Sequence, residues 1–270
     1  MAPPNAPNDS PEANEFEQGD IAARQSEQDD QYVFPYHYIP INDARGHRRT
    51  RHWGWGFRYL GGIDVVLDAL DESPFGSLID IGCGDGRFLH EFAKIHPDVA
   101  ARGVDSSQRA IRLARALNPS VRFEAADICH APVGGPFDAA TLIEVLEHIP
   151  PQQVPEFLQA TAGLIAPGGR LVLTVPHVNK PVDDKHFQHF SSVSLTETLS
   201  PFFGQVVVRP FDDIRAPALK LFSQILGASG RFFVITHPSL NERYYRLYRT
   251  RYLFSCTEAR CGRLLAVCTP

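Results

Sequence analysis

Hydrophobic positions along this chain change period several times, and the changes mark its elements. Ile63, Val66, Leu67 and Leu70 recur at i, i+3, i+4 and i+7, which predicts a helix through GGIDVVLDAL. Short apolar runs then alternate with helical stretches. SLIDI (77–81), ARGVD (101–105), VRFEAA (121–126), FDAATLI (137–143), RLVLTV (170–175), QVVVRPF (205–211) and RLLAVC (263–268) read as strands. Between the fourth and fifth, Val154, Phe157, Leu158, Ala162 and Ile165 share one helical face, and Pro167-Gly168-Gly169 turns the chain into the next strand. Alternation at this spacing predicts an α/β fold with a doubly wound, mainly parallel seven-stranded sheet. The sixth and seventh strands are separated by about fifty residues, far more than a usual connection. This insertion, 212–260, carries helical patterns near 217–227 and 240–252. It is expected to cap the sheet's carboxyl edge with a lid from residues 31–60, both within a single domain spanning 31–270.

Composition changes the picture mainly at the N-terminus. Residues 1–30 hold eight Asp and Glu against Arg24 alone, a net of −7, whereas the whole chain carries −5 and the remainder therefore +2. The acidic segment is rich in Pro, Asn, Glu and Gln and poor in aliphatics, so it cannot bury enough surface to offset its ordering entropy. It is expected to be disordered, and removable without loss of fold or cofactor affinity. The near-neutral remainder gives no support to an extended nucleic-acid surface. No basic and apolar leader opens the chain and no window approaches ~18 consecutive apolar residues, so neither secretion nor membrane insertion is expected. Five scattered cysteines suit a reducing cytoplasm better than a disulfide framework.

The most informative run is Leu78-Ile79-Asp80-Ile81-Gly82-Cys83-Gly84-Asp85-Gly86-Arg87-Phe88, a buried strand feeding a glycine turn that opens a helix. Ligands of open α/β sheets bind outside the carboxyl ends of the strands, where such a turn lets backbone approach closely. The glycines fall as GxGxG rather than the GxGxxG of a dinucleotide site. An acidic residue two positions before the first glycine suits a cationic ligand better than a pyrophosphate. Asp105 ends the second strand and Asp127 follows the third, both where a nucleoside needs acceptors.

LIDIGCGDGRF resembles the first motif of class I S-adenosylmethionine-dependent methyltransferases, and the resemblance runs from about residue 56 to 211 and resumes at the last strand. It implies the Rossmann-like methyltransferase fold. It also implies that Asp80, Gly82, Gly84 and Gly86 face the methionine part of S-adenosylmethionine. Asp105, with Ser106 beside it, would meet the ribose, and Asp127 with the Ile128 backbone the adenine. Glu144 counts among the cofactor contacts too.

After the fourth strand comes Glu144-Val145-Leu146-Glu147-His148. On a helical turn Glu144, Glu147 and His148 fall at i, i+3 and i+4, on one face, able to hold a divalent cation such as Mg²⁺, Mn²⁺ or Zn²⁺. A fourth ligand is available from His186, or His189, beyond the fifth strand. This ExxEH element is similar to the metal sites of ubiquinone-biosynthesis O-methyltransferases and small-RNA 2′-O-methyltransferases. Broad small-molecule methyltransferase families carry EVLEH without a metal, leaving Glu147 and His148 as the catalytic pair, with His148 as a base titrating near roughly 6–7, or as scaffold. The acidic-aromatic run of the RNA enzymes is missing after the last histidine, where Phe190-Ser191-Ser192 stands instead.

Two weaker signals accompany these. Arg243, Arg246 and Arg249 alternate with Tyr244, Tyr248 and Tyr252, an amphipathic helix with a tyrosine core face or a phosphate or RNA contact. His47-Arg48-Arg49-Thr50-Arg51-His52-Trp53 is a solvated patch or a lid over an anion, and Cys256 and Cys261 lack zinc spacing. The leading expectation is O-methylation of a small-molecule or saccharide acceptor, of natural-product or glycan type. RNA 2′-O-methylation is the alternative, and a non-catalytic cofactor-binding or regulatory protein the second.

Overall fold

Side chains that alternate along each strand separate the hydrophobic core into two layers. Leu78, Ala139, Val172 and Leu265 lie in one cluster, and Ile79, Ala140, Leu171, Leu173 and Leu264 in the other. This is the period of two expected of a sheet covered on both faces. The computed structural model describes residues 53–219 and 238–270, the short stretches 21–24, 40–43 and 46–49, and the single positions 26 and 221.

A small antiparallel ribbon pairs β1 (Pro40–Asp43) with β2 (Gly46–Arg49). Helix α1 (Trp53–Leu70) then leads into the main sheet. That sheet contains β3 (Ser77–Ile81), β4 (Ala100–Asp105), β5 (Arg122–Ala125), β6 (Phe137–Ile143), β7 (Ile165–Pro176), β8 (Gln205–Asp213) and β9 (Cys261–Thr269), in spatial order β5-β4-β3-β6-β7-β9-β8. Six strands run in one direction, and β9 is antiparallel to both its neighbours, β7 and β8. All seven predicted strands are present. Helices α2 (Arg87–Ile95) and α3 (Gln108–Leu117) join α1 on one face; α4 (Val154–Gly163) and α5 (Ser192–Leu199) cover the other. Leu78 and Leu171 are wholly buried, and truncating either to Ala would cost roughly 2–5 kcal/mol.

Two boundaries differ from the sequence pattern. The helix expected to run to Ile165 ends at Gly163, and β7 already begins at Ile165, before Pro167-Gly168-Gly169. Phe137 pairs with Ile165 and Ala139 with Arg170, so the proline and glycines form an irregularity within the strand pair rather than a separate turn. Within the 212–260 insertion, α6 (Pro238–Tyr248) packs on α1: the Phe57 and Tyr244 rings stack 4.7 Å apart, and Tyr245 Oη donates to Asp64. Among the described residues, no part of the insertion lines the cavity at the carboxyl edge, although Tyr59, Gly62 and Ile63 of α1 do. Residues 21–24 of the acidic segment form a helical turn. The rest of 1–30 apart from residue 26, the aromatic run 31–39, the His47–Trp53 side chains and most of the 217–227 pattern lie outside the described residues.

β3 and β6 are neighbours, yet the chain leaves them toward opposite halves of the sheet. Such a switch point opens a crevice at the carboxyl ends of the strands. The carboxyl ends of β3, β4, β5 and β6 carry the predicted cofactor residues together with Glu144, Glu147 and His148, and the loop after β7 supplies His186 and His189.

Candidate active site

A cavity of about 1250 Å³ occupies that crevice, lined by Asp80, Gly82, Gly84, Asp105, Ser106, Asp127, Ile128, Glu144, Glu147, His148 and His186. The strand–turn–helix at its floor is shaped by glycine. Gly82 has φ +72°, and a Cβ there would lie 2.5 Å from Val145 Cγ2; at Gly86, φ is +77° and a Cβ would lie 2.8 Å from Phe123 Cζ. Left-handed backbone and close neighbours both demand glycine at these two positions. The Gly82 and Cys83 amides donate to Val104 O at 2.8 and 3.0 Å, tying the turn to β4.

The three carboxylates differ in how they are held. Asp105 accepts from the Gly84 amide at 2.9 Å through Oδ2 and from the Ser107 amide at 2.8 Å through Oδ1. Asp127 stands at the rim and accepts from the Cys129 amide and the His130 ring, both at 2.9 Å. Burial opposes its charge, but those two donors win and hold its carboxyl below the usual range. Asp80 is buried, with Thr141 Oγ1 donating to it at 2.7 Å. Burial pushes its pKa up to about 7; the Thr141 bond opposes the rise and the Asp105 charge adds to it. A cation placed beside Asp80 would restore its negative charge.

The far end of the cavity departs from the helical turn predicted there. β6 ends at Ile143, Glu144 takes a left-handed φ of +54°, and only Leu146–His148 form a single 3₁₀ turn. Glu144 therefore does not share a helical face with Glu147 and His148. Its Oε1 is buried without a hydrogen-bond partner among the described residues, and the same holds for both carboxylate oxygens of Glu147. Burial first, and the Glu144 charge second, push the Glu147 pKa well above its ordinary value. Non-glycine residues at positive φ cost about 1–3 kcal/mol and cluster at functional sites.

Three imidazoles complete this end, and their tautomers follow from their partners. His148 Nδ1 lies 3.1 Å from Lys185 O, and His189 Nδ1 lies 3.1 Å from Lys180 O. A carbonyl only accepts, so both Nδ1 atoms carry the proton. His189 Nε2 is then an acceptor, and His186 Nδ1 donates to it at 2.8 Å. His148 and His186 are left with free Nε2 lone pairs, their rings meeting edge to face at 4.7 Å. Burial drives the His148 pKa down to about 4, and burial with the neighbouring His148 takes His186 to about 2. Burial thus works against a His148 base titrating near 6–7, because its desolvated ring holds a proton poorly. One ligand atom each from Glu147, His148 and His186 lies within 4.8 Å of the others, whereas Glu144 is outside this group and His189 stands behind it. The structure brings together three of the four expected ligands.

Two residues at the site gave no recognised signal in the sequence. Arg263, expected only as part of a strand, is buried opposite Pro176 on β7, pairs with Asp212 Oδ2 at 3.3 Å and donates to Arg58 O. Arg24, from the acidic segment, donates through Nη1 to Asp184 O and His186 O, each at 2.7 Å, and its guanidinium lies 4.9 Å over the Phe187 ring. Elsewhere, Tyr244, Tyr248 and Tyr252 are buried and Arg249 pairs with Asp64 and Asp68 of α1, so the helix's aromatic face packs into the core. Cys256 and Cys261 are free thiols whose sulfurs donate to Thr257 O and Glu258 O.

A family profile described as "Methyltransferase domain" matches residues 47–206, more than half of the chain. An uncharacterized 37.1 kDa protein in transposon TN4556 of Streptomyces fradiae is 39% identical over 119 residues, 42% of this chain and 33% of that protein. The ubiquinone biosynthesis O-methyltransferase of Cupriavidus pinatubonensis (strain JMP 134 / LMG 1197) is 34% identical over 126 residues, 44% of this chain and 47% of that one. The aligned part thus spans between a third and a half of these curated relatives. Among solved structures, a SAM-dependent methyltransferase from Archaeoglobus fulgidus superposes with a TM-score of 0.52 at 17% identity, over 80% of this chain and 98% of that one, a likeness of fold.

Proposed function

The chain belongs to the methyltransferase-domain family and carries its Rossmann-like fold, and from that premise we propose that it transfers the methyl group of S-adenosylmethionine to a hydroxyl oxygen of a small-molecule or saccharide acceptor. The observation that carries this reading is a single cavity with two unlike ends. One has a glycine-lined turn and three placed carboxylates; the other has Glu147, His148 and His186 converging. The cofactor fits the first end. Asp80 is held ready for a cationic centre, Asp105 is fixed by two amides at the edge of the turn, and Asp127 stands beyond it.

A divalent cation fits the second end. Glu147 offers two carboxylate oxygens with no partner among the described residues, and two neutral imidazoles offer Nε2 lone pairs, their tautomers fixed by Lys185 O and His189. Held there, such an ion would supply Lewis acidity that lowers the pKa of an acceptor hydroxyl. Transfer forms a bond from the acceptor oxygen to the methyl carbon while the sulfur–carbon bond breaks, its electron pair staying on sulfur, and the hydroxyl proton passes to solvent water. This chain's part is alignment of donor and acceptor along one line, with binding groups at both ends of the cavity. His148, neutral near pH 7, serves here as a ligand rather than a base.

Saturable thermal stabilisation by S-adenosylmethionine or its demethylated product tests the first end; no shift at millimolar concentration would sink the reading. Product formation from labelled cofactor and a panel of hydroxylated acceptors tests the second. Activity should vanish with a chelator and return with Mg²⁺, Mn²⁺ or Zn²⁺. Chelator-insensitive turnover together with a fully active His148→Ala protein would show that this cluster takes no part in activation.

A further inference from the structure

We propose that Arg24 is a positioning residue of the active site, an arm from the acidic N-terminal segment that fixes the loop carrying His186. The inference rests on the reading of Glu147, His148 and His186 as the acceptor-activating group. The loop leaves β7 at Pro176 and returns at Phe190. Its base is closed by its own backbone, since Val178 N donates to Phe190 O at 3.0 Å and Phe190 N to Pro176 O at 3.1 Å. His177 and Asn179 clamp the base further, His177 Nε2 lying 3.3 Å from Glu258 Oε1 and Asn179 Nδ2 donating to Cys261 O at 2.9 Å.

The tip, 183–187, is held differently. His186 N donates to Asp183 O at 2.9 Å, and Phe187 N to Glu147 O at 2.8 Å. The carbonyls of Asp184 and His186 both point at one guanidinium nitrogen of Arg24, 160 and 162 residues earlier in the chain. The same guanidinium covers the Phe187 ring. Arg24 thus grips the residues on both sides of Lys185, whose carbonyl fixes the His148 tautomer. Through one planar group it touches His186 directly and bears on His148 through Lys185. Lysine cannot imitate this, because its ammonium lacks the flat face that stacks on an aromatic ring. The segment's composition argues that nothing there packs a core, and Arg24 is its one cation. Its side chain lies at the cavity wall, which Ser26 also lines.

Amide hydrogen exchange on the full-length Arg24→Ala protein tests this. Exchange at His186 and Phe187 should quicken by roughly five- to thirty-fold, the loss of one or two ordinary hydrogen bonds. Val178 and Lys180, at the clamped base, should keep their wild-type rates. Unchanged rates at His186 and Phe187, or an equal acceleration at the base, would overturn the proposal. Arg24→Lys should behave as the alanine protein does; full recovery of protection would overturn the role given to the stacked guanidinium. Titration with Co²⁺ alone, read by visible absorption, should show affinity roughly 10- to 100-fold weaker in Arg24→Ala, as for other residues that orient a ligand. Equal Co²⁺ affinity in the two proteins would overturn the link to His186. If the wild-type protein takes up no Co²⁺, the cation reading of the site fails, and the exchange rates alone decide the fate of Arg24.

Discussion

At the cofactor end of the cavity the three strand-end carboxylates are answered by the protein: Asp105 by the amides of Gly84 and Ser107, Asp127 by Cys129 and His130, Asp80 by Thr141. Asp85 of the turn accepts from the Arg87 amide through Oδ1, while its Oδ2 is buried without a partner among the described residues. At the acceptor end neither Glu147 oxygen is answered among the described residues, and Glu144 Oε1 is buried in the same condition. An unsatisfied buried polar group costs about 1–3 kcal/mol, and such groups are rare in native structures. The cofactor end is organised before its ligand arrives, out of strand ends and the turns that follow them. The acceptor end keeps its cost until something with positive charge completes it. Removing charge should therefore have opposite consequences at the two ends.

The largest effect belongs to Glu147. Glu147→Ala should lower turnover by about 10³-fold, the several kcal/mol that polarisation of an acceptor oxygen supplies. Affinity for S-adenosylmethionine should stay within about twofold, since the lost group faces the acceptor. Glu147→Gln should be as inactive yet unfold at about the same temperature as wild type without added metal, because burial already favours the neutral carboxyl, which the amide matches in shape. Turnover and melting curves measured on the same preparations check both statements. A Gln variant that is active, or much less stable, would erase the contrast between the two ends.

Asp105 comes next and acts at the opposite end. Asp105→Ala should weaken cofactor binding by roughly 1–3 kcal/mol, about five- to 150-fold, without changing metal affinity. Part of that loss is indirect, because the Gly84 and Ser107 amides that it accepts from would lose their partner. Calorimetric titration with cofactor, alongside Co²⁺ titration, separates the two affinities.

Asp80 gives a smaller, pH-dependent effect. Its pKa near 7 means that the apo carboxyl still holds its proton below that point. A cationic ligand prefers the ionised form, so cofactor binding releases the proton and affinity should rise with pH up to about 7 and then level off. The slope should approach tenfold per pH unit between about 5 and 6.5 and vanish in Asp80→Asn. An affinity that is flat with pH in the wild-type protein would mean that Asp80 is already ionised or stands apart from the ligand's charge.

The same division decides what could be read from the sequence. The cofactor end lies within residues 80–128, and each part of it is local. An apolar run predicts the strand, the glycines the turn, and a carboxylate at a strand end its position beside the ligand. The spacing of Glu144, Glu147 and His148 predicts one shared face, and the structure brings only Glu147 and His148 together. Regular helix was assumed where Glu144 turns left-handed at the end of β6, a backbone state that a glutamate seldom adopts and no pattern announces. Of the two histidines that follow the fifth predicted strand, the structure brings His186 to the cluster and sets His189 behind it as a hydrogen-bond partner, which the sequence left open. Arg263 and Arg24 were missed for a common reason: each reaches the cavity through contacts far along the chain. Arg263 lies within an apolar strand, and Arg24 in a segment whose composition spoke only against a core. Composition reports on average burial and says nothing of one side chain's partners.

The smallest expected effect concerns that segment and separates its two readings. Deleting residues 1–20 leaves Arg24 in place, and fold, cofactor affinity and exchange at His186 should all match the full chain. Deleting 1–30 should also leave cofactor affinity within about twofold, because the Arg24 contacts with Asp184, His186 and Phe187 lie at the acceptor end of the cavity. Its melting temperature should fall by only a few degrees, as expected when one or two hydrogen bonds are lost from a domain of this size. The difference between the deletions should therefore appear in loop exchange and turnover. If the longer deletion weakens cofactor binding as strongly as Asp105→Ala, the two ends of the cavity are coupled through the N-terminal segment. The acceptor loop could not then be treated as a separate unit from the glycine turn.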